Sequence, residues 1–101
     1  MEEIKKYLGL AHNAGYLIIG GDKLDNYNKK IYLVLVDQSA GKTSKKIAIR
    51  FKEKGVEVYE ISNLPNYISI ANCKILGIKN KGICEEIKKY LNKENWFGKY
   101  K

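Results

Sequence analysis

Six consecutive residues, Ile31-Tyr32-Leu33-Val34-Leu35-Val36, form an apolar run without polar alternation. A half-buried strand alternates apolar with polar residues, and a surface helix repeats its apolar positions every three to four; this run does neither. It has the length of a strand and needs cover on both faces. It therefore predicts a central strand, with parallel pairing favoured, in a sheet that carries helices on both sides.

The flanking sequence supplies those helices. Over 2–14, Ile4, Tyr7, Leu8 and Ala11 follow helical spacing while Glu3, Lys5 and Lys6 take the other side, and Gly15 stops the helix. A short strand over 16–19 ends at Gly20 and Gly21, after which Asp22 is placed to cap a helix of one or two turns with Asp25 in its first turn. Beyond the central run, Thr43 or Ser44 is placed to cap a helix with Ile47, Ala48 and Phe51 inward and Lys42, Lys46 and Arg50 along its outer face. Gly55 ends that helix, and 56–61 reads as a strand with Val56, Val58 and Tyr59 in the core.

Pro65 suits the first turn of a helix running to about Ala71, because its missing N–H has no helical partner there. A last strand over 74–79 carries Ile75, Leu76 and Ile78. Asn80 caps the closing helix, with Ile83, Ile87, Tyr90 and Leu91 inward and Glu85 and Lys89 at i, i+4. The order of elements predicts an α/β fold, a three-layer α/β/α sandwich around a central four-stranded mixed sheet. The 101 residues suit a single domain, with 93–101 as a basic aromatic tail. In that tail Trp96, Phe97 and Tyr100 stand among Lys93, Lys99 and Lys101; they suit capping an edge of the core or stacking on bases.

Charge narrows the partner. Nineteen Lys and Arg against eleven Asp and Glu give +8 and a pI near 9.4, which favours a polyanion, although a merely solvated lysine-rich surface has the same composition. Lys23, Lys29, Lys30, Lys42, Lys45, Lys46 and Arg50 crowd the segment where two helices begin. Helix N-termini present unpaired N–H groups and partial positive charge, so two such ends beside lysines predict one electropositive lip that holds phosphates.

Several other chemistries fit poorly. Cys73 and Cys84 have no second pair or histidine cluster to complete a zinc site, and read as small core residues in a reducing cytoplasm. No apolar run approaches the length of a membrane span, and the acidic, amphipathic start is unlike a secretory signal. Gly41-Lys42-Thr43-Ser44 evokes a nucleotide phosphate loop, but the first glycine of that motif falls on Val36. His12 is the only histidine and has no nucleophile near it in sequence. The expectation is a protein that is not an enzyme, with no metal and no cofactor.

The segment Leu8-Gly9-Leu10-Ala11-His12-Asn13-Ala14-Gly15-Tyr16-Leu17-Ile18-Ile19-Gly20 resembles the opening G-L-A-x-R-A-G-K-L-x-x-G of the kink-turn RNA-binding ribosomal protein superfamily, the relatives of L-seven-Ae and L-thirty-e, in their short bacterial YlxQ-like branch. The resemblance continues through Leu33-Val34-Leu35-Val36-Asp37, Thr43-Ser44-Lys45-Lys46, Val56-Glu57-Val58 and Gly77-Ile78 to Ile83. It implies the same three-layer fold and non-catalytic, ribosome-associated binding of structured RNA. The family's G-x-N-E stretch, which reads sheared purine pairs in the minor groove of the kink, falls on Gly20, Gly21, Asp22 and Lys23. Asp22 and Lys23 thus stand where the family has an amide and a carboxylate, and Asn13 and Tyr16 where it has basic residues.

A further family contact loop matches Ala71-Asn72-Cys73-Lys74. The resemblance implies RNA contacts at Gly20, Gly21, Asn72 and Lys74, base or sugar contacts at Asp22, Gln38 and Ser39, and a phosphate backbone held by Lys23, Lys42, Lys45 and Lys46. Expected partners are structured RNA, neither DNA nor membrane, and at most a weak second copy of the chain. A protein-interaction module on the same fold, with its basic face against an acidic partner, is the alternative.

Overall fold

The computed structural model describes residues 2–70, 72–91 and 98–99, with only the backbone of the last two. In chain order the elements are α1 (Glu2–Asn13), β1 (Leu17–Ile19), α2 (Gly21–Asp25), β2 (Leu33–Asp37), α3 (Lys42–Glu53), β3 (Glu57–Ile61), α4 (Pro65–Ile68), β4 (Ile75–Ile78), α5 (Lys81–Leu91) and β5 (Gly98–Lys99). They build the expected three-layer α/β/α sandwich with a mixed sheet of order β1-β4-β2-β3-β5. β2 pairs in parallel with β3 and antiparallel with β4, so the apolar run is central as expected. The fifth strand amends the four-stranded expectation: two residues of the tail pair antiparallel with β3, a backbone interaction that side-chain pattern does not encode. Trp96, Phe97 and Tyr100 lie outside the described residues.

The absence of alternation in β2 has a direct cause. Leu33 and Leu35 join a core cluster with Ile4 and Leu8 of α1, Tyr67 and Ile68 of α4, and Cys84, Ile87 and Leu91 of α5. Val34 and Val36 face the other way, into a cluster with Leu24 of α2 and Ile47, Ala48 and Phe51 of α3. All four strand residues are fully buried. Burial of each is worth about 1.5–3 kcal/mol relative to exposure, so any polar substitution in the run loses on either face.

Local corrections follow from backbone geometry. Asp22 does not cap α2 and neither Thr43 nor Ser44 caps α3; the N-caps are Gly20, at φ 98°, and Gly41, and neither helix has a side-chain cap. α4 stops at Ile68, because Ser69 turns left-handed at φ 59°, while Ala71 lies outside the described residues. Asn80 does cap α5, its Oδ1 accepting from the Ile83 amide at 2.9 Å. On α5 the ion pairs run i, i+3 and not from Glu85 to Lys89: Lys88 meets Glu85 at 3.3 Å and Lys89 meets Glu86 at 3.0 Å. Lys88 also reaches Glu57 at 2.7 Å, and that second carboxylate draws it across to the sheet.

α2 is held against the sheet by a missing side chain. A Cβ at Gly77, in β4, would lie 2.6 Å from Cδ1 of Leu24 and 3.2 Å from Cγ2 of Ile31. Leu24 is fully buried. Gly77→Ala should therefore cost about 1–3 kcal/mol, the usual range for overpacking, in chemical denaturation. In a Leu24→Ala background the same change should cost less than half as much; an equal cost in both would show that α2 is not what it strikes.

Candidate functional site

Strands β1, β2 and β3 end, and β4 begins, at one edge of the sheet. The Gly20 amide donates to the Ile75 carbonyl at 3.0 Å, the Asp37 amide to the Lys74 carbonyl at 2.7 Å, and the Gln38 amide to the Ile61 carbonyl at 2.9 Å. These bonds fix the β1–α2, β2–α3, β3–α4 and α4–β4 connections side by side as a rim. Gly20 to Lys23, Gln38, Ser39, Asn72 and Lys74 all lie on it.

The N-terminal turns of α2 and α3 meet there. A Cβ on Gly21 would stand 3.1 Å from Cδ1 of Ile47 and 3.8 Å from the Ser44 hydroxyl, so only a residue as small as glycine allows this approach without displacement. The chain thus brings Asp22 and Lys23 near the turn that bears Lys42, Lys45 and Lys46. Lys23, Lys42 and Lys46 are exposed and Lys45 is half-buried. The first amides of α3 have no side-chain cap, so its positive end remains open to an anion.

A carboxylate organises the rim from below. Asp37 is 2% exposed, the one buried polar or charged residue among those described. Its Oδ1 accepts from the Leu64 amide at 2.6 Å, and its Oδ2 from the Ser39 amide at 2.8 Å and from the Ser39 hydroxyl. Lys74 Nζ stands 3.7 Å from Oδ2 and donates to Ser39 Oγ at 2.8 Å. Burial by itself raises the Asp37 pKa; the Ser39 hydroxyl, the Leu64 and Ser39 amides and the Lys74 charge outweigh it and hold the carboxyl below its ordinary value. Above the group lies a cleft of about 390 Å³ lined by Asp37, Gln38, Ser39, Ser62, Asn63 and Lys74.

Sequence reading did not single out Asp37, Ser62 or Asn63 as site residues. Asp37 closes an otherwise apolar strand, an unusual position that was the available signal; its partners at Leu64 and Lys74 are distant in sequence and carried none. Asn63 sits at φ 61°, a left-handed position that asparagine tolerates better than most residues.

Not every expected cation belongs to the rim. Lys29 and Lys30 lie at the opposite edge, where β2 and β3 begin, because the 26–32 connection carries the chain back across the sheet before β2. Arg50 is ion-paired with Asp25 at the far end of α2. The cations at the rim are Lys23, Lys42, Lys45, Lys46 and Lys74, with Lys74 and Ser39 already engaged by Asp37.

The cysteines are buried, free and unreactive in character: burial pushes the Cys73 thiol up and the Cys84 thiol up to about 12. Val36 is fully buried in β2, which leaves no phosphate-loop glycine before Gly41. His12 is exposed on the last turn of α1. Among the described residues no group of three or more His, Cys, Asp or Glu is placed to hold a metal, and no helix is long and apolar enough to cross a membrane.

No protein-family model matches the chain, and no curated protein does. Among solved structures, a protein of unknown function from Bacillus halodurans C is similar, with a TM-score of 0.77 and 23% identity over 88% of this chain and 96% of that one. That likeness carries the fold.

The depressed Asp37 pKa makes a pH prediction. A carboxyl whose folded value lies below its unfolded value, about 3.9, stabilises the fold above that value, and the contribution fades as pH falls through the folded value. Asp37→Asn should cost about 1–3 kcal/mol at neutral pH, the range for a lost charge-assisted bond and an unmatched buried amide, and the gap to wild type should close on acidification below pH about 4. A gap that stays constant into acid would mean that the negative charge contributes nothing.

Proposed function

We propose that this protein binds structured RNA without catalysis, through the rim at the strand ends. The observation that carries the reading is the meeting of the α2 and α3 N-terminal turns at Gly21, Ser44 and Ile47, beside Lys23, Lys42, Lys45 and Lys46. Exposed ammonium groups around an open helix end suit a folded phosphate backbone, where several phosphates lie close together. The family resemblance in the opening segment, with its ribosomal associations, points to the same edge.

Roles divide by chemistry. Lys42, Lys45 and Lys46, with Lys23, neutralise phosphates and set affinity; they carry no base information. Gln38 is exposed at the mouth of the cleft and its amide has both donor and acceptor, so it can read a base edge. Asp22 accepts only, which suits a guanine or cytosine amino group or a ribose hydroxyl and disfavours a phosphate. Ser39 and Lys74 act chiefly through Asp37, keeping the cleft in shape. A kink-turn differing from the family's usual set, with an amino group presented to Asp22, is the readout that this rim would favour.

Fluorescence anisotropy with a kink-turn RNA, titrated against salt, tests the reading. The log of the binding constant should fall linearly with the log of salt, with a slope of about 0.7–0.9 per phosphate neutralised. Lys42→Glu/Lys45→Glu/Lys46→Glu, folded by circular dichroism, should bind at least about tenfold more weakly with a shallower slope. Equal binding by wild type and variant would end the RNA reading; loss of an acidic protein partner on the same variant would put an interaction module in its place.

A further inference from the structure

The opposite edge of the sheet holds a second basic site. A cavity of about 450 Å³ opens between the α2–β2 connection and the turn from α3 into β3. Its size lies within the range of small-molecule sites, about 300–1,000 Å³. Ile31 and Phe51, both nearly buried, and half-buried Val56 form an apolar floor, and half-buried Tyr27 packs against the same core cluster, whereas Tyr32, which also borders the cavity, packs against the core on the other face of the sheet.

The cations around it are free of carboxylates. Lys29, Lys30 and Lys54 line the cavity, are exposed, and have no ion pair among the described residues. Lys30 lies 5.2 Å from the ring centre of Tyr32, Lys54 5.1 Å from that of Phe51, and Lys79 comes over Tyr27 at 5.7 Å. No acidic residue lines the cavity. The neighbouring Glu57 is occupied by Lys88, which leaves exposed Glu53 of α3 as the carboxylate next in sequence to Lys54.

Backbone hydrogen bonds hold the segments that carry the walls. The Tyr32 amide donates to the Ile78 carbonyl at 2.9 Å, the Tyr27 amide to the Leu24 carbonyl at 3.2 Å, and the Val56 amide to the Phe51 carbonyl at 3.0 Å. The last bond, with those from Lys54 and Gly55 to carbonyls of α3, also covers the negative end of that helix, which would otherwise repel an anion.

We infer that this cavity is a nucleotide-sized site that takes a planar base against Tyr27 and its phosphate among Lys29, Lys30 and Lys54. Aromatic rings beside unpaired ammonium groups over an apolar floor are the elements that hold single nucleotides, where stacking on the ring tolerates any base. The shared chemistry, a phosphate joined to a base, has two sources: a free mononucleotide or an unpaired nucleotide of a bound RNA. The site is separate from the rim and stands whether or not the rim binds RNA.

Amide-resolved NMR titration decides it, with uridine 5′-monophosphate, a short oligouridine and inorganic phosphate as probes. Saturable shifts confined to residues 27–32, 51–56 and Lys79 are expected, at least tenfold weaker in Lys30→Glu/Lys54→Glu and unchanged in Lys42→Glu/Lys45→Glu. Tyr27→Leu should weaken the nucleotide but not inorganic phosphate. Saturation by the monophosphate assigns a free nucleotide; saturation by the oligonucleotide alone assigns an unpaired RNA segment. Absent shifts at these residues, or inorganic phosphate binding as tightly as the nucleotide, would overturn the site.

Discussion

One buried carboxylate ties the end of the central strand to the three connections around it. Asp37 accepts from Ser39 after β2, from the Leu64 amide where α4 begins, and draws in Lys74 ahead of β4. A charge at 2% exposure is unfavourable unless its lone pairs are matched, and here amides, a hydroxyl and an ammonium match them. An apolar residue of similar size would pack in the same place, but would leave the Leu64 and Ser39 amides without acceptors. The carboxylate thus joins three of the four connections into one surface of defined shape, and the rim inherits that shape.

Steric constraint does the corresponding work for the helices. Gly77 leaves room for Leu24 and Ile31 over the sheet, and Gly21 lets the start of α2 close on Ile47 and Ser44 of α3. Together they set the lateral spacing of the two N-terminal turns, and with it the separation of the lysines at the rim. The same packing sends α2 across the sheet and returns the chain through Lys29 and Lys30 to the opposite edge. Basic charge is consequently split between two edges of the sheet, with the Asp25–Arg50 pair between them.

What was legible in the sequence follows from how far each signal reaches. The apolar run in β2, the inward faces of α1, α3 and α5, and the Asn80 cap depend on neighbours within a few residues, and each was readable. The caps of α2 and α3 were misplaced because glycine at Gly20 and Gly41 takes the extended or positive-φ entry that Asp22, Thr43 and Ser44 were expected to supply. The Lys29 and Lys30 positions depend on where a connection crosses the sheet, and the Asp37 network on residues 27 and 37 positions away. β5 pairs through backbone, so nothing in its side chains marked it.

The central claim, that the rim and not merely a positive overall charge holds structured RNA, is tested most directly by photocrosslinking the intact protein to a kink-turn RNA and mapping the joined peptides by mass spectrometry. The account predicts crosslinks within 20–23, 38–46 and 72–74, suppressed by excess unlabelled kink-turn RNA but not by an equal mass of plain duplex. Crosslinks spread evenly over the lysines of α1, α3 and α5, or displaced equally well by duplex, would contradict it.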